Sequence, residues 1–266
     1  MKCYARALGG CAGGQSREHF VSAAILQLLN RDNGLILSGF SKLNGGQEIS
    51  LPPAALASNI LCKAHNERLS PIDSNALAAF TTIMDATDYR RIAALPDRTV
   101  VSGLELERWM LKMMAGLAIS GHLGTTIESV PNLWLRIIFG LAKHGRRTGV
   151  FFADEVNLRR PRQAGVKVAP WLNRSGAMRG LVITLCGLRF IYSLEPYSRK
   201  QRASDPVSMA VLHRPRRFNF VYAALTCHRN MKSLVFAWDR SIASIPTSRV
   251  GGTTFDFEIG ESILIG

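Results

Sequence analysis

Ser16-Arg17-Glu18-His19, followed after a long gap by Leu61-Cys62-Lys63-Ala64-His65-Asn66, is the pair of segments on which the reading of this chain turns. Two thiols, Cys3 and Cys11, stand ahead of both. Each piece alone is common, because an acid beside a histidine or a C-x-x-H pair arises by chance in many chains. Their order carries the information: two thiols, an acid-His pair, then C-x-x-H-N at the expected start of a helix. An imidazole titrates near neutral pH, so His19 suits a general base. Glu18 and Asn66 are oxygen donors, the ligand type a hard Mg2+-like ion prefers, and two protein ligands leave positions open for water and a phosphate oxygen. Cys3, Cys11, Cys62 and His65 are the soft and borderline ligands that close a tetrahedral structural zinc site. Asn66 directly follows the last of these, so a structural metal would also fix the residue beside it.

In this order the residues resemble the HNH (His-Me finger, ββα-metal) endonucleases, in particular members with an acid-His pair ahead of C-x-x-C-N. The resemblance covers residues 1 to about 72. It implies a zinc-braced finger, His19 as the base, Glu18 and Asn66 on a catalytic Mg2+ or Mn2+, and hydrolysis of phosphodiester bonds, in DNA ahead of RNA. The chain departs from the family in three respects. His65 stands where relatives carry a cysteine, so it either binds the zinc or turns toward the catalytic ion, and the spacing from Cys62 favours zinc. Glu18 replaces a frequent Asp, which lengthens one ligand arm and allows binding through water. Asn59 is a candidate for the family's middle Asn, although it lies closer to Cys62 than usual.

Composition narrows the classes. The 266 residues are 47% apolar, enough for a packed core and against disorder. The net charge of +14 points to a polyanionic partner, nucleic acid ahead of an anionic membrane surface. Five cysteines are an odd number in a long chain and do not form a secreted disulfide framework, so a reduced compartment is expected. No secretory signal is visible from Met1 to Arg6, and no run reaches the ~18 uncharged apolar residues of a spanning helix. The expected location is cytoplasmic, with no membrane contact.

The expected fold is α+β: the finger at 1–72 on a helical middle at 73–147, followed by a β-rich basic region at 148–266. Apolar spacing predicts a short helix over 23–29, a strand near 35–37, and a helix from Cys62 to Leu69. A further helix opens at Ser70-Pro71 and runs to about 94, with Leu77, Phe80, Ile83 and Met84 on one side. A buried helix is expected from Leu104 to Ile119 and an amphipathic one from Leu133 to Leu141. Strands are expected at 150–152, 181–186, 188–194, 218–223 and 234–238, with Cys186-Gly187 as a turn. Because residues 3–66 are rich in glycine and poor in large apolar side chains, this segment is expected to need a metal to fold.

Four basic clusters, Arg146-Arg147, Arg159-Arg160-Pro161-Arg162, Arg199-Lys200-Gln201-Arg202 and Arg214-Pro215-Arg216-Arg217, suggest a face that tracks phosphates, with Arg214, Arg216 and Arg217 as candidate contacts. The alternative is a solvated surface. His122, His144, His213 and His228, with Cys186 and Cys227, have no motif around them and read as structural. The functional expectation is an HNH-type, metal-dependent endonuclease. Its rivals are a non-catalytic, zinc-stabilised nucleic-acid-binding protein and a basic scaffold that docks on another protein.

Overall fold

The computed structural model describes residues 3–30, 35–86, 91–124, 127–153, 165–173, 175–185, 188–196, 211–223, 229–239 and 262–264. The Arg159–Arg162 and Arg199–Arg202 clusters, the Cys186-Gly187 turn, Cys227 and His228 lie outside them. The chain is mixed α+β with a β-rich second half.

Strand β1 (Gln15–His19) pairs antiparallel with β4 (Ala57–Cys62), and helix α2 (Lys63–Glu67) follows at once. Helix α1 (Ala23–Leu29), strand β2 (Ile36–Ser38) and strand β3 (Ile49–Ser50) lie between the paired strands. Helix α3 (Ser70–Ala86) stops short of the expected 94, and a separate 3-10 turn covers Ile92–Ala94. Strand β5 (Arg98–Ser102) then leads into helix α4 (Gly103–Ile119). Ser102-Gly103-Leu104-Glu105 is an S-x-x-E start signal. The Ser102 hydroxyl accepts from the Glu105 amide at 3.2 Å, and the Asn75 side chain holds both the amide and the carbonyl of Ser102 at 2.8 Å.

Helix α5 (Asn132–Ile138) ends three residues earlier than expected, and the rest of the described chain is β: β6 (Gly149–Ala153), β7 (Gly165–Leu172), β8 (Met178–Leu185), β9 (Leu188–Ser193), β10 (Val211–His213), β11 (Arg217–Ala223), β12 (Arg229–Ala237) and β13 (Ser262–Leu264). One sheet runs β10-β6-β9-β8-β7-β2-β3 and another β13-β11-β12-β5. Strand pairing therefore crosses both boundaries drawn on the sequence, since β2 lies parallel to β7 and β5 lies parallel to β12. Pro170 of β7 lacks an amide donor, and β2 has already ended at the Ser38–Lys167 pair, so no ladder bond is lost to it. Gly39 ends β2 at φ 84°, where a Cβ would sit 1.7 Å from the Val168 carbonyl oxygen; no other residue fits.

Helix α4 packs against α3, α5, β6, β9 and β12, and all of its residues except Leu104, Arg108 and Ile119 are buried. Phe80 of α3 joins it to the sheet, with ring centroids 5.5 Å from Trp109 and 5.9 Å from Phe190. Burial so complete obliges the charges on α4 to find partners. Glu107, with no solvent exposure, accepts from the Val150 amide at 3.0 Å and from Arg214 at 2.9 and 3.0 Å. Arg214 also lies over the Trp238 ring, 5.6 Å from its centroid. Its guanidinium is thus directed to Glu107 and Trp238, which removes it from the expected set of phosphate contacts. His144 sits 3.7 Å from Glu107 and within 3.3 Å of the Tyr192 hydroxyl.

Burial, with Arg214 and His213 adding repulsion, pushes the His144 imidazole down to about 4, because Glu107 is already matched by Arg214. An unfolded chain would take up this proton near pH 6.5, and the folded one holds it off to about 4, so stability is full above 6.5 and falls between those values. We expect the unfolding free energy from urea titrations to drop by about 3 kcal/mol between pH 7 and 4 on account of this group, and His144→Gln to flatten that part of the profile. An equally steep profile in the variant would assign the loss to other groups.

Candidate metal centre and pocket

Four local devices bring the thiols and His65 together. Cys62 ends β4 and caps α2, its sulfur accepting from the His65 amide at 3.4 Å. The Tyr4 amide bonds to the Ile60 carbonyl at 2.9 Å, which draws Cys3 to the same end of the strand pair. The Gly9–Gly14 loop runs through left-handed conformations at Gly9, Gly10, Gly13 and Gly14. Its carbonyls at Gly14 and Ala12 accept from the Lys63 and Ala64 amides at 3.0 and 3.3 Å, satisfying donors that a helix start leaves open. Gly13 has no room for a side chain there, because a Cβ would lie 2.9 Å from that of Lys63.

The result is a cluster in which the ligand atoms of Cys3, Cys11, Cys62 and His65 all lie within 4.8 Å of one another, and it could hold a metal ion such as zinc. The His65 Nδ1 is 3.1 Å from the Cys62 sulfur, 3.5 Å from that of Cys3 and 3.7 Å from that of Cys11. A tetrahedral zinc with ordinary bond lengths would place nitrogen and sulfur ligands about 3.6 Å apart. Three thiols and one imidazole therefore fit zinc both in chemistry and in spacing. Burial pushes the Cys3 thiol up to about 11. For Cys62 burial also pushes upward, but the amides of His65 and Ala12 together with the Cys3 and Cys11 thiols outweigh it, and the thiol ends below its usual value. Burial and Arg68 lower the His65 imidazole and favour the neutral form that ligates metals. Its ring packs edge-on against Phe139 at 5.3 Å, and Nε2 is buried.

On the other side of Asn66 lies a pocket of about 210 Å3. Glu18 and His19 from β1, Asn66 from α2, Asp73 from α3, Lys112 from α4 and Ser22 ahead of α1 all line it. Glu18 and Asn66 thus share one pocket with His19, although 47 residues separate His19 from Asn66. Burial lowers the His19 imidazole, and Arg17 and Lys112 push it the same way, keeping the ring neutral and able to accept a proton near pH 7. Burial raises the Glu18 carboxyl despite the nearby Lys112 ammonium. Asn59 is exposed on β4 and does not line the pocket.

Sequence reasoning missed Lys112, Asp73 and Ser22. The Lys112 ammonium lies 2.6 Å from Glu18 Oε1 and donates to Asp73 Oδ1 and Oδ2 at 2.8 and 2.9 Å. Ser22 donates to Asp73 Oδ1 and accepts from the Trp109 indole nitrogen at 2.8 Å. One signal was available: Lys112 interrupts the apolar run from Trp109 to Met114, and a lysine buried on a helix needs an acid opposite it. Of the basic residues, Arg146, Arg147 and Arg216 are exposed and Arg217 is half-buried at the start of β11. Among the described residues no helix is long and apolar enough to cross a membrane.

Comparison of the chain with protein-family models, curated proteins and solved structures finds no match.

The expectation that the first 66 residues lack apolar anchors is corrected by the core. Phe20, Val21, Ile25, Leu26, Leu29, Leu35, Leu37 and Phe40 are all nearly inaccessible to solvent. What depends on the cluster is the segment from Cys3 to Gly14, whose only deeply buried side chains are Cys3 and Ala5. Elemental analysis should find one zinc per chain. Cys62→Ser should release it, lower the melting temperature and abolish amide-exchange protection from residues 3 to 14, while leaving α3 and α4 protected. Folded protein free of zinc would remove the assignment.

Proposed function

We propose that the chain is an HNH-type, metal-dependent endonuclease that hydrolyses phosphodiester bonds of nucleic acid, DNA ahead of RNA. The observation that supports it best is the common pocket of His19, Glu18 and Asn66, directly beside the Cys3-Cys11-Cys62-His65 cluster. The strand-strand-helix order of β1, β4 and α2 agrees with a ββα-metal finger. On this reading zinc braces the finger and keeps the α2 start, with Asn66, against β1.

His19 takes the proton of a water molecule through a ring nitrogen as the oxygen attacks phosphorus, and the bond to the leaving sugar oxygen breaks. A Mg2+ or Mn2+ ion on Glu18 and Asn66 would stabilise the negative charge that builds up on the phosphate oxygens. Asn66 contributes a neutral oxygen, so the charge offered to the ion comes from Glu18 and its carboxylate neighbour. The net charge of +14 supports a polyanionic substrate, with Arg216 and Arg217 as phosphate contacts on the described surface.

A second reading, a non-catalytic zinc-stabilised nucleic-acid-binding protein, is favoured by one observation: Glu18 already has a counter-charge in Lys112. Incubating the protein with plasmid DNA and with RNA, with and without Mg2+ or Mn2+, separates the two. Binding without cleavage under every condition would select the second.

His19→Ala should lower cleavage by about 10^2 to 10^4, the usual contribution of a general base, with zinc content and nucleic-acid affinity unchanged. Asn66→Ala should lose activity in a way that higher Mg2+ or Mn2+ partly restores. Cleavage by His19→Ala at the parent rate would displace the site assignment. Affinity for nucleic acid should fall steeply with salt, and replacing Arg216 and Arg217 together should reduce the slope of log affinity against log salt by about 2. An unchanged slope would make them solvated surface.

A further inference from the structure

The pocket holds a point that is already a cation position. Lys112 Nζ lies within 3 Å of three carboxylate oxygens, Glu18 Oε1 at 2.6 Å and both Asp73 oxygens at 2.8 and 2.9 Å. The two acids come from segments 55 residues apart, and neither pairing is between helix neighbours. Glu18 Oε1 is buried, and the Lys112 ammonium beside it is its counter-charge.

Asp73 is held in place independently of Lys112. The fully buried Trp109 donates its indole N–H to the Ser22 oxygen, so the Ser22 proton is left to point at Asp73 Oδ1. That relay uses one lone pair of one oxygen and leaves Asp73 further acceptor capacity facing the pocket. Two carboxylates against one ammonium leave a net charge of −1 on this wall, which suits one more positive charge. His19 and Asn66 line the same space.

We propose that Asp73 is a third oxygen ligand of the hydrolytic ion and that Lys112 is its built-in competitor, an ammonium occupying the ion's place between Glu18 and Asp73. This rests on the reading of the pocket as a hydrolytic site, but it concerns ion binding and can be measured without substrate. A divalent ion brings two charges where the ammonium brings one. It therefore displaces Lys112 from the carboxylates at millimolar concentrations rather than being held tightly in the absence of substrate. Lys112 acts as a positioning residue, because its contacts are to the carboxylates.

The test uses the full zinc-loaded chain and Mn2+ alone as the probe, with free Mn2+ followed by electron paramagnetic resonance. Removing a unit charge a few ångströms from the ion should change affinity by about tenfold or more. Lys112→Met should bind Mn2+ more tightly by that factor, and Asp73→Asn more weakly. Equal affinity in the parent and both variants would overturn the proposal and leave Lys112 as a structural ion pair. Zinc content and cooperative melting check each variant. If either fails that check, the decision passes to the parent protein labelled at the lysine ε-carbon, with the Lys112 signal identified by its loss in Lys112→Arg. Mg2+ should shift that signal as the site fills, and a signal that does not move would overturn the proposal. If the Mn2+ pattern holds and no nucleic acid is cleaved, the ion site stands and the nuclease reading falls. If the parent cleaves nucleic acid while the variants bind Mn2+ as well as it does, the nuclease reading stands and the competition between Lys112 and the ion falls.

Discussion

A helix buried around almost its whole circumference cannot carry an unpaired charge, and of the three buried ones on α4, Glu105 is met within the helix by Arg108 while Glu107 and Lys112 reach outside it. Glu107 faces the sheets and is met by Arg214 and by the amide of Val150. Lys112 faces the N-terminal segment and is met by Glu18 and Asp73. The spacing of five residues on one helix separates the two groups by more than a full turn, so each fixes a different part of the chain. Sliding or rotating α4 would disrupt its close apolar packing, and it would also leave a buried charge without its partner. This registers the β-rich half against the segment that carries Glu18 and His19.

The thiol cluster does a more local job. The core already holds α1, β2 and the residues around Phe20, so the cluster is not needed to keep the N-terminal third folded. Its contribution is to the arm and glycine loop from Cys3 to Gly14, whose apolar anchors are few: Cys3 and Ala5 in the core, with Tyr4 and Leu8 packed against it. The loop in turn caps α2 through the carbonyls of Ala12 and Gly14, so the position of Asn66 is tied to the state of the thiols.

Much of this was legible in the sequence where the signal is local. The 23–29 helix, the Ser70-Pro71 helix start and the C-x-x-H turn depend on neighbours in the chain, and they lie where the residues imply. The four residues of the cluster could be named because the order of the thiols and the imidazole suits a metal site. Pairings that bring distant segments together were not legible. Nothing in Arg98-Thr99-Val100-Val101-Ser102 announces that its partner is β12, since its half-alternating pattern also suits a loop before a helix. The long gap between Glu18 and Cys62 hid the fact that β2 and β3 do not join the β1–β4 pair but belong to the large sheet. Asp73 carries no signal of its own in the sequence, because its contact is with Lys112, 39 residues away. Arg214 read as a phosphate contact because it stands in a basic run, whereas its partner Glu107 was concealed within an apolar helix.

The parallel pairing of β5 with β12 has a consequence for the order in which the molecule can be made. Thr99 aligns with Leu234, and Val101 with Phe236, across a separation of 135 residues. On a chain emerging from a ribosome, β5 has no strand beside it until nearly the whole described sequence has been synthesised. The Asn75 amide that grips Ser102 can form early, but the strand just before Ser102 must wait. The pocket is lined by residues of β1, the start of α1, α2, α3 and α4, all complete by residue 119. Assembly of the pocket and closure of the sheet are therefore separated in time, and such long-range closure belongs to the slow end of single-domain folding.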